Sequence, residues 1–225
     1  MATPKNQSTA TELLVFANLQ IAAEALYGQL EKSSIDTTII DRTNYLSEQG
    51  DSINSGEELL NIGNKHASRF TITQAEEFVK QWKIVSHLSN TTSGFSGTLF
   101  EAIENIPNTD IKKGDLVISF RSTEFVEDQV RDCVATNTLE IAKTGWAVGQ
   151  ISDMERWFQS LQDNGLIAEN QKINVTGYSL GGHLATAFHI LHSDIIKNTF
   201  TFNGAGVGTM GGDEITTKEE LYSYC

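Results

Sequence analysis

The residues with the clearest chemical potential lie at Gly177-Tyr178-Ser179-Leu180-Gly181, a G-x-S-x-G pattern. A serine hydroxyl attacks a carbonyl carbon only if it projects from the backbone and the developing negative charge finds donors. A sharp, strained turn from strand into helix supplies the projection. Small residues two places before and after the serine let strand and helix approach each other closely. Gly177 and Gly181 meet that need, and Gly182 adds room. The Leu180 N–H, at the start of the following helix, is placed to donate to an oxyanion, and the helix dipole favours negative charge there. Ser179 is therefore the candidate nucleophile and Leu180 a candidate oxyanion-hole residue. The alternative is a glycine-rich strand–helix turn without chemistry.

The serine also needs a base, and the base an orienting acid. Behind a nucleophile on such a turn the expected chain order is serine, acid, histidine. Three histidines follow Ser179: His183, His189 and His192, all on the helix that the pattern predicts immediately after it. His183 stands one turn past the serine and would have to fold back over the turn to act as base. His189 and His192 read as satisfied on the helix surface. Asp213, followed by Glu214, is the best available acid, and Asp194 reads as a local cap near the helix end. The sequence thus presents a nucleophile whose base and acid are not evident.

The elements that must hold Ser179 are legible from periodicity. Lys172-Ile-Asn-Val-Thr-Gly177 reads as a strand, and Leu180, Leu184, Phe188 and Leu191 mark a helix. Asn198 to Asn203 is a further strand, and Gly204 to Gly212 a glycine-rich loop. Upstream, Phe95 to Ile103 and Leu116 to Phe120 read as strands, the second after the turn signal Lys113-Gly114-Asp115. Ile151, Met154, Phe158 and Leu161 give a helix over Val148 to Leu161, with Asn164-Gly165 as its stop. Strand, helix, strand, helix, strand predicts a parallel sheet with crossover helices. The first third reads helical. Thr9-x-x-Glu12 opens an apolar stretch from Leu13 to Leu30, and Ser55-x-x-Glu58 opens a second helix. Thr73-x-x-Glu76 opens a third, with Phe78, Trp82 and Val85 on one face. A polar stretch, Ser33 to Ser55, reads as loop.

Val175-Thr-Gly-Tyr-Ser-Leu-Gly-Gly-His-Leu-Ala185 resembles the nucleophile segment of class 3 lipases, the fungal-lipase-like branch of the α/β-hydrolases. Val117-Ile-Ser-Phe-Arg-Ser-Thr-Glu124 resembles the strand and Phe-Arg-Gly-Thr/Ser loop of that family. Asp128 and Asp132 are similar to its D-x-x-x-D, Gly145-Trp146 to its Gly-Phe, and Phe202 to Gly208 to the strand end and loop after its nucleophile helix. Large bacterial lipase-like proteins, some with calcium-binding repeats, resemble the chain as well. The resemblance runs from Phe95 to Gly208 and only loosely into the helical first third. It implies that Thr123 is the second oxyanion-hole residue. Two positions depart from the family: Ser122 stands in place of its glycine, and Gln129 where it often has tryptophan. Apart from the resemblance, Arg121-Ser-Thr-Glu124 is a polar loop after a strand, either the origin of a second oxyanion N–H or a turn with a solvated Arg–Glu pair.

The expected fold is therefore α/β, with an α/β-hydrolase-type sheet, mostly parallel, and flanking helices. One domain is expected over residues 1–225, with 1–94 mostly helical and 95–212 carrying the sheet. The resemblance implies that the family's acid and histidine follow a further strand, so the domain is expected to be incomplete at its C-terminus, with these two groups beyond residue 225.

Composition bounds the function classes. The chain has 225 residues and a formal net charge of −13. No basic stripe exists to neutralise phosphates, which argues against a nucleic-acid partner and against electrostatic docking on anionic membranes. Apolar contact with a membrane surface stays open. No apolar run approaches the roughly 20 residues of a transmembrane helix, and residues 1–11 show no signal-peptide core, so localisation is left between the cytoplasm and export by a C-terminal signal expected to lie outside residues 1–225. Cys133 and Cys225 have no metal-site spacing and read as unpaired thiols. No metal or cofactor is expected. The expected reaction is hydrolysis of a carboxylic ester, such as a lipid or phospholipid acyl ester, through an acyl-enzyme on Ser179. The alternatives are a non-catalytic module that binds a lipid or a protein, and a peptidase or acyltransferase using the same turn.

Overall fold

The computed structural model describes residues 10–24, 70–88, 91–122, 145–207, 209–210, 213–214, 217 and 220. Helix α1 spans Ala10–Ala23 and α2 spans Ile72–Gln81. Strands β1 (Trp82–Leu88), β2 (Gly97–Ala102) and β3 (Leu116–Phe120) follow. Then come α3 (Val148–Asp163), β4 (Ile173–Tyr178), α4 (Leu180–Leu191) and β5 (Ile196–Phe202). Two-residue strands β6 (Thr209–Met210) and β7 (Asp213–Glu214) pair with each other. The main sheet has the order β1-β2-β3-β4-β5.

The sheet is mixed. β3, β4 and β5 are parallel, connected through α3 and α4, while β1, β2 and β3 are antiparallel. The expected parallel crossover pattern therefore holds for the half of the sheet that contains Ser179. The other half is a meander, in which β1, β2 and β3 lie side by side as antiparallel neighbours.

Every residue of β3 is buried, as befits a strand covered on both faces. Ile118 and Phe120 join a core with Met154, Phe158, Leu184 and Phe188 of α3 and α4. Val117 faces the other way, into a core with Phe16 and Leu19 of α1 and Phe78 of α2. Phe16 stacks on Phe200 of β5 with centroids 3.9 Å apart. The result is helix, sheet, helix in three layers.

The expected boundary at residue 95 is corrected. The Thr73 helix was to carry Trp82 and Val85 on its face, but the helix ends at Gln81 and Trp82 opens β1, with φ −133° and ψ 141°. The β-branched Ile84 and Val85 pack better on a pleated surface, and the segment pairs with β2 from Trp82↔Ala102 to Leu88↔Gly97. The helix starts earlier too. Thr71 is its N-cap, and Gln74 completes the capping box rather than Glu76. Downstream, α3 and α4 begin where periodicity placed them. Gly165, at φ 68°, closes the end of α3 as expected. The Thr9 capping box, residues 25–30, the 33–55 loop and the Ser55 helix lie outside the described residues, as do Asp128, Gln129, Asp132, Cys133 and Cys225.

Candidate functional site

Ser179 is the single residue between β4 and α4. The last rungs of the parallel ladder, Phe120↔Gly177 and Tyr178↔Phe202, bring the carboxyl ends of β3 and β5 to either side of it. Its backbone sits at φ 51° and ψ −116°, a region that L-residues avoid. The surrounding hydrogen bonds hold it there. Ser179 N–H donates to Phe202 O at 3.0 Å. The Ser179 carbonyl accepts from three N–H groups: Gly182 at 3.1 Å, His183 at 3.2 Å and Ala205 at 2.9 Å.

Close packing explains the glycines. A Cβ at Gly177 would lie 2.2 Å from Gly181 O, and one at Gly182 would lie 2.8 Å from the Gly204 Cα. No side chain fits, so the strand, the turn and the helix start can come together only with hydrogen at these positions.

A serine at a helix N-cap normally spends its hydroxyl on the N2 or N3 amide. Ser179 makes no such bond. Among the described residues no hydrogen bond engages its Oγ. Ser179 is half-buried, so the hydroxyl is reachable from solvent. Leu180 follows as the first helical residue, with its side chain in the core. The first N–H of a helix has no intrahelical acceptor, so this amide is available to an anion beside Ser179 Oγ.

Thr123 lies outside the described residues. The structure does place the backbone just ahead of it. Phe120 and Arg121 pass directly beside Gly181 as the chain leaves β3, and Arg121 is buried. Arg121 N–H donates to Ser96 O at 3.1 Å, and Ser122 N–H to Glu24 Oε1 at 2.8 Å.

The histidines are engaged elsewhere. His183 does not fold back over the turn. It is fully buried, with Ala147 N–H donating to its Nε2 at 3.2 Å, which puts the proton on Nδ1, facing Gly206 O at 3.3 Å. Burial pulls its pKa below the ordinary histidine range, against the opposing pull of the Gly206 and Ala205 carbonyls. It is therefore a neutral bridge between the loop entering α3 and the loop leaving β5. His189 Nδ1 pairs with Thr199 Oγ1 at 2.8 Å, and His192 Nε2 with Glu155 Oε1 at 2.7 Å. His192 lies at the far end of α4 from Ser179, between the rings of Phe158 and Phe188. Asp213 pairs with Met210 through the backbone of the small β6–β7 ladder. Asp194 is exposed in the turn after α4, where its carbonyl accepts from Lys172 Nζ.

Sequence reasoning missed two features. One is the polar knot around Asp153 on α3. Its carboxylate accepts from Thr91 and Ser93 hydroxyls, each at 2.5 Å, and from Arg156. The other is Glu24, buried at the end of α1 although its sequence context reads as an ordinary helix. No sequence signal marks either, because the Thr91 and Ser93 partners of Asp153 and the Ser122 partner of Glu24 are 60 or more residues away. Among the described residues no cluster of His, Cys, Asp and Glu has the form of a metal site, and no helix is long and apolar enough to cross a membrane. No protein-family model, curated protein or solved structure matches the chain.

Proposed function

We propose that this chain is a serine-dependent carboxylic ester hydrolase of the α/β-hydrolase type, similar to class 3 lipases, acting through an acyl-enzyme on Ser179. The observation that carries the reading is the backbone of Ser179, held at φ 51° between a parallel strand and a helix, with its hydroxyl making no capping bond to that helix and no hydrogen bond among the described residues. Such a conformation is costly, by about 1–3 kcal/mol. It persists because glycine packing and four hydrogen bonds over-determine it, and strain of this kind clusters at catalytic turns.

In the proposed reaction, Ser179 Oγ forms a bond to the ester carbonyl carbon while its proton passes to a base. The carbonyl oxygen becomes an oxyanion within reach of the Leu180 N–H, with the Thr123 N–H as the expected second donor. Collapse of that intermediate breaks the ester bond, the alcohol leaves with a proton, and water releases the acid from the acyl-serine. The substrate class is a carboxylic ester, lipid or phospholipid acyl esters included. Tyr178 and Val207, partly exposed apolar residues flanking the turn and the loop after β5, offer an acyl chain an apolar surface beside Oγ.

A second reading is favoured by one observation: the three histidines that follow Ser179 all have other partners. It is a lipase-like module that binds a lipid or protein without turnover. A fluorophosphonate probe separates the two. The hydrolase forms a covalent adduct at Ser179, seen by peptide mass spectrometry and absent in Ser179→Ala, and turns over p-nitrophenyl esters. A folded wild-type chain that gives neither adduct nor turnover is the module.

A further inference from the structure

We infer that Glu24 is a positioning residue for this site, fixing the exit of β3 against the turn of Ser179; the inference rests on the hydrolase reading above. Glu24 follows the last residue of α1, and its N–H closes that helix on Gln20 O and Ile21 O. Its residue is only 2% exposed. A buried carboxylate is unfavourable unless hydrogen bonds satisfy it. One that it accepts crosses 98 positions of sequence, from Ser122 N–H to Oε1 at 2.8 Å.

The place of that bond gives it meaning. The β2–β3 and β3–β4 ladders both end at Phe120. Arg121 N–H still finds Ser96 O, but Ser122 is past the last strand partner. A backbone N–H in a buried setting needs an acceptor, and Glu24 supplies one from the opposite layer of helices. On the other side of the same peptide chain, the carbonyls of Phe120 and Arg121 rest on the Cα of Gly181. The exit of β3 is thus gripped between a carboxylate on the α1 side and the nucleophile turn on the α4 side.

The grip sets the direction in which the backbone leaves the sheet, and so where the amide after Ser122 lies relative to Ser179 Oγ. An oxyanion donor is effective only when held within a few tenths of an ångström of its place. Glu24 touches neither substrate nor reacting atoms; it acts through the backbone. By this route α1, which packs on the face of the sheet away from α4, becomes part of the site.

The test compares the full-length wild type with Glu24→Ala and Glu24→Gln, the second keeping an acceptor oxygen at the same reach. Hydrogen exchange at the Ser122 amide is read by NMR, together with kcat and KM for a p-nitrophenyl ester. In Glu24→Ala the Ser122 amide should exchange about tenfold faster or more. There kcat should fall about tenfold with KM little changed, the pattern of an interaction that matters in the transition state. Glu24→Gln should restore most of both. Equal Ser122 exchange in all three proteins overturns the inference, as does a fall in kcat shared by the Ala and Gln variants that follows only their loss of thermal stability. A wild type that neither labels at Ser179 nor cleaves esters overturns the hydrolase reading instead, and the exchange result then still decides whether Glu24 holds Ser122.

Discussion

The carbonyl oxygen of Phe120 lies 2.2 Å from the point where a Cβ at position 181 would sit, and the Arg121 oxygen 3.1 Å from it. These are backbone atoms of buried residues at the end of β3 and cannot swing aside as the tip of a flexible side chain can. Gly181 is thus the contact through which the Ser179 turn and the β3 exit fix each other. Gly181→Ala should destabilise the protein by about 3 kcal/mol or more, through overpacking against backbone. It should also abolish fluorophosphonate labelling of whatever fraction stays folded. Thermal unfolding by circular dichroism and labelling of the folded fraction check this; an alanine variant as stable and as reactive as wild type would contradict the packing.

Ser179→Gly separates strain from chemistry. Glycine adopts φ 51° freely, so relief of the strained conformation outweighs the added flexibility of the unfolded chain. The variant should gain about 1 kcal/mol in stability while losing all labelling. Denaturant unfolding of the two proteins measures the difference, and a less stable glycine variant would show that position 179 is not strained.

His183 makes stability depend on pH. Its folded-state pKa is lowered, chiefly by burial, so between that value and about 6.5 the unfolded chain binds more protons than the folded one. Stability therefore rises with pH through this window and falls as the solution is acidified below about 6.5. Protonation would also turn Nε2 from the acceptor of Ala147 N–H into a donor facing a donor. In His183→Gln this part of the dependence should vanish. Urea midpoints between pH 5 and pH 8 give the comparison, and parallel curves for both proteins would remove His183 as the cause.

Asp153 ties the turn at residues 91–94 to α3. Burial raises its pKa, but the Ser93 and Thr91 hydroxyls and Arg156 more than offset this and hold it below the usual aspartate range. Its stabilising effect is therefore present above about pH 3.9 and is lost as pH falls through the lower folded-state value. Asp153→Ala at neutral pH removes an ionised acceptor and leaves two hydroxyls without it, at a cost of about 1.5–3 kcal/mol. A calorimetric melting temperature equal to wild type would contradict this role.

The local elements were legible in the sequence where one period ran uninterrupted. Leu180 to Leu191 reads and folds as a helix, and Leu116 to Phe120 reads and folds as a strand. The switch from α2 to β1 at Trp82 was not legible. Phe78, Trp82 and Val85 satisfy a helical period as well, and pairing with β2 decides for the strand. The histidines followed the same rule. Their place on α4 was readable, but their partners Ala147, Gly206, Thr199 and Glu155 come from other elements.

The sequence alone determined the turn at Ser179. Its requirements are local: glycine at 177 and 181, a serine between them, and periodicity that changes from two to 3.6 across it. The tertiary structure alone decided what surrounds that turn: a mixed rather than largely parallel sheet, a neutral His183 spent on bridging loops, and a carboxylate from α1 on the Ser122 amide. Those outcomes depend on which distant chain segments meet, and hydrogen bonds made across 23 to 98 positions leave no periodic trace in the residues that make them.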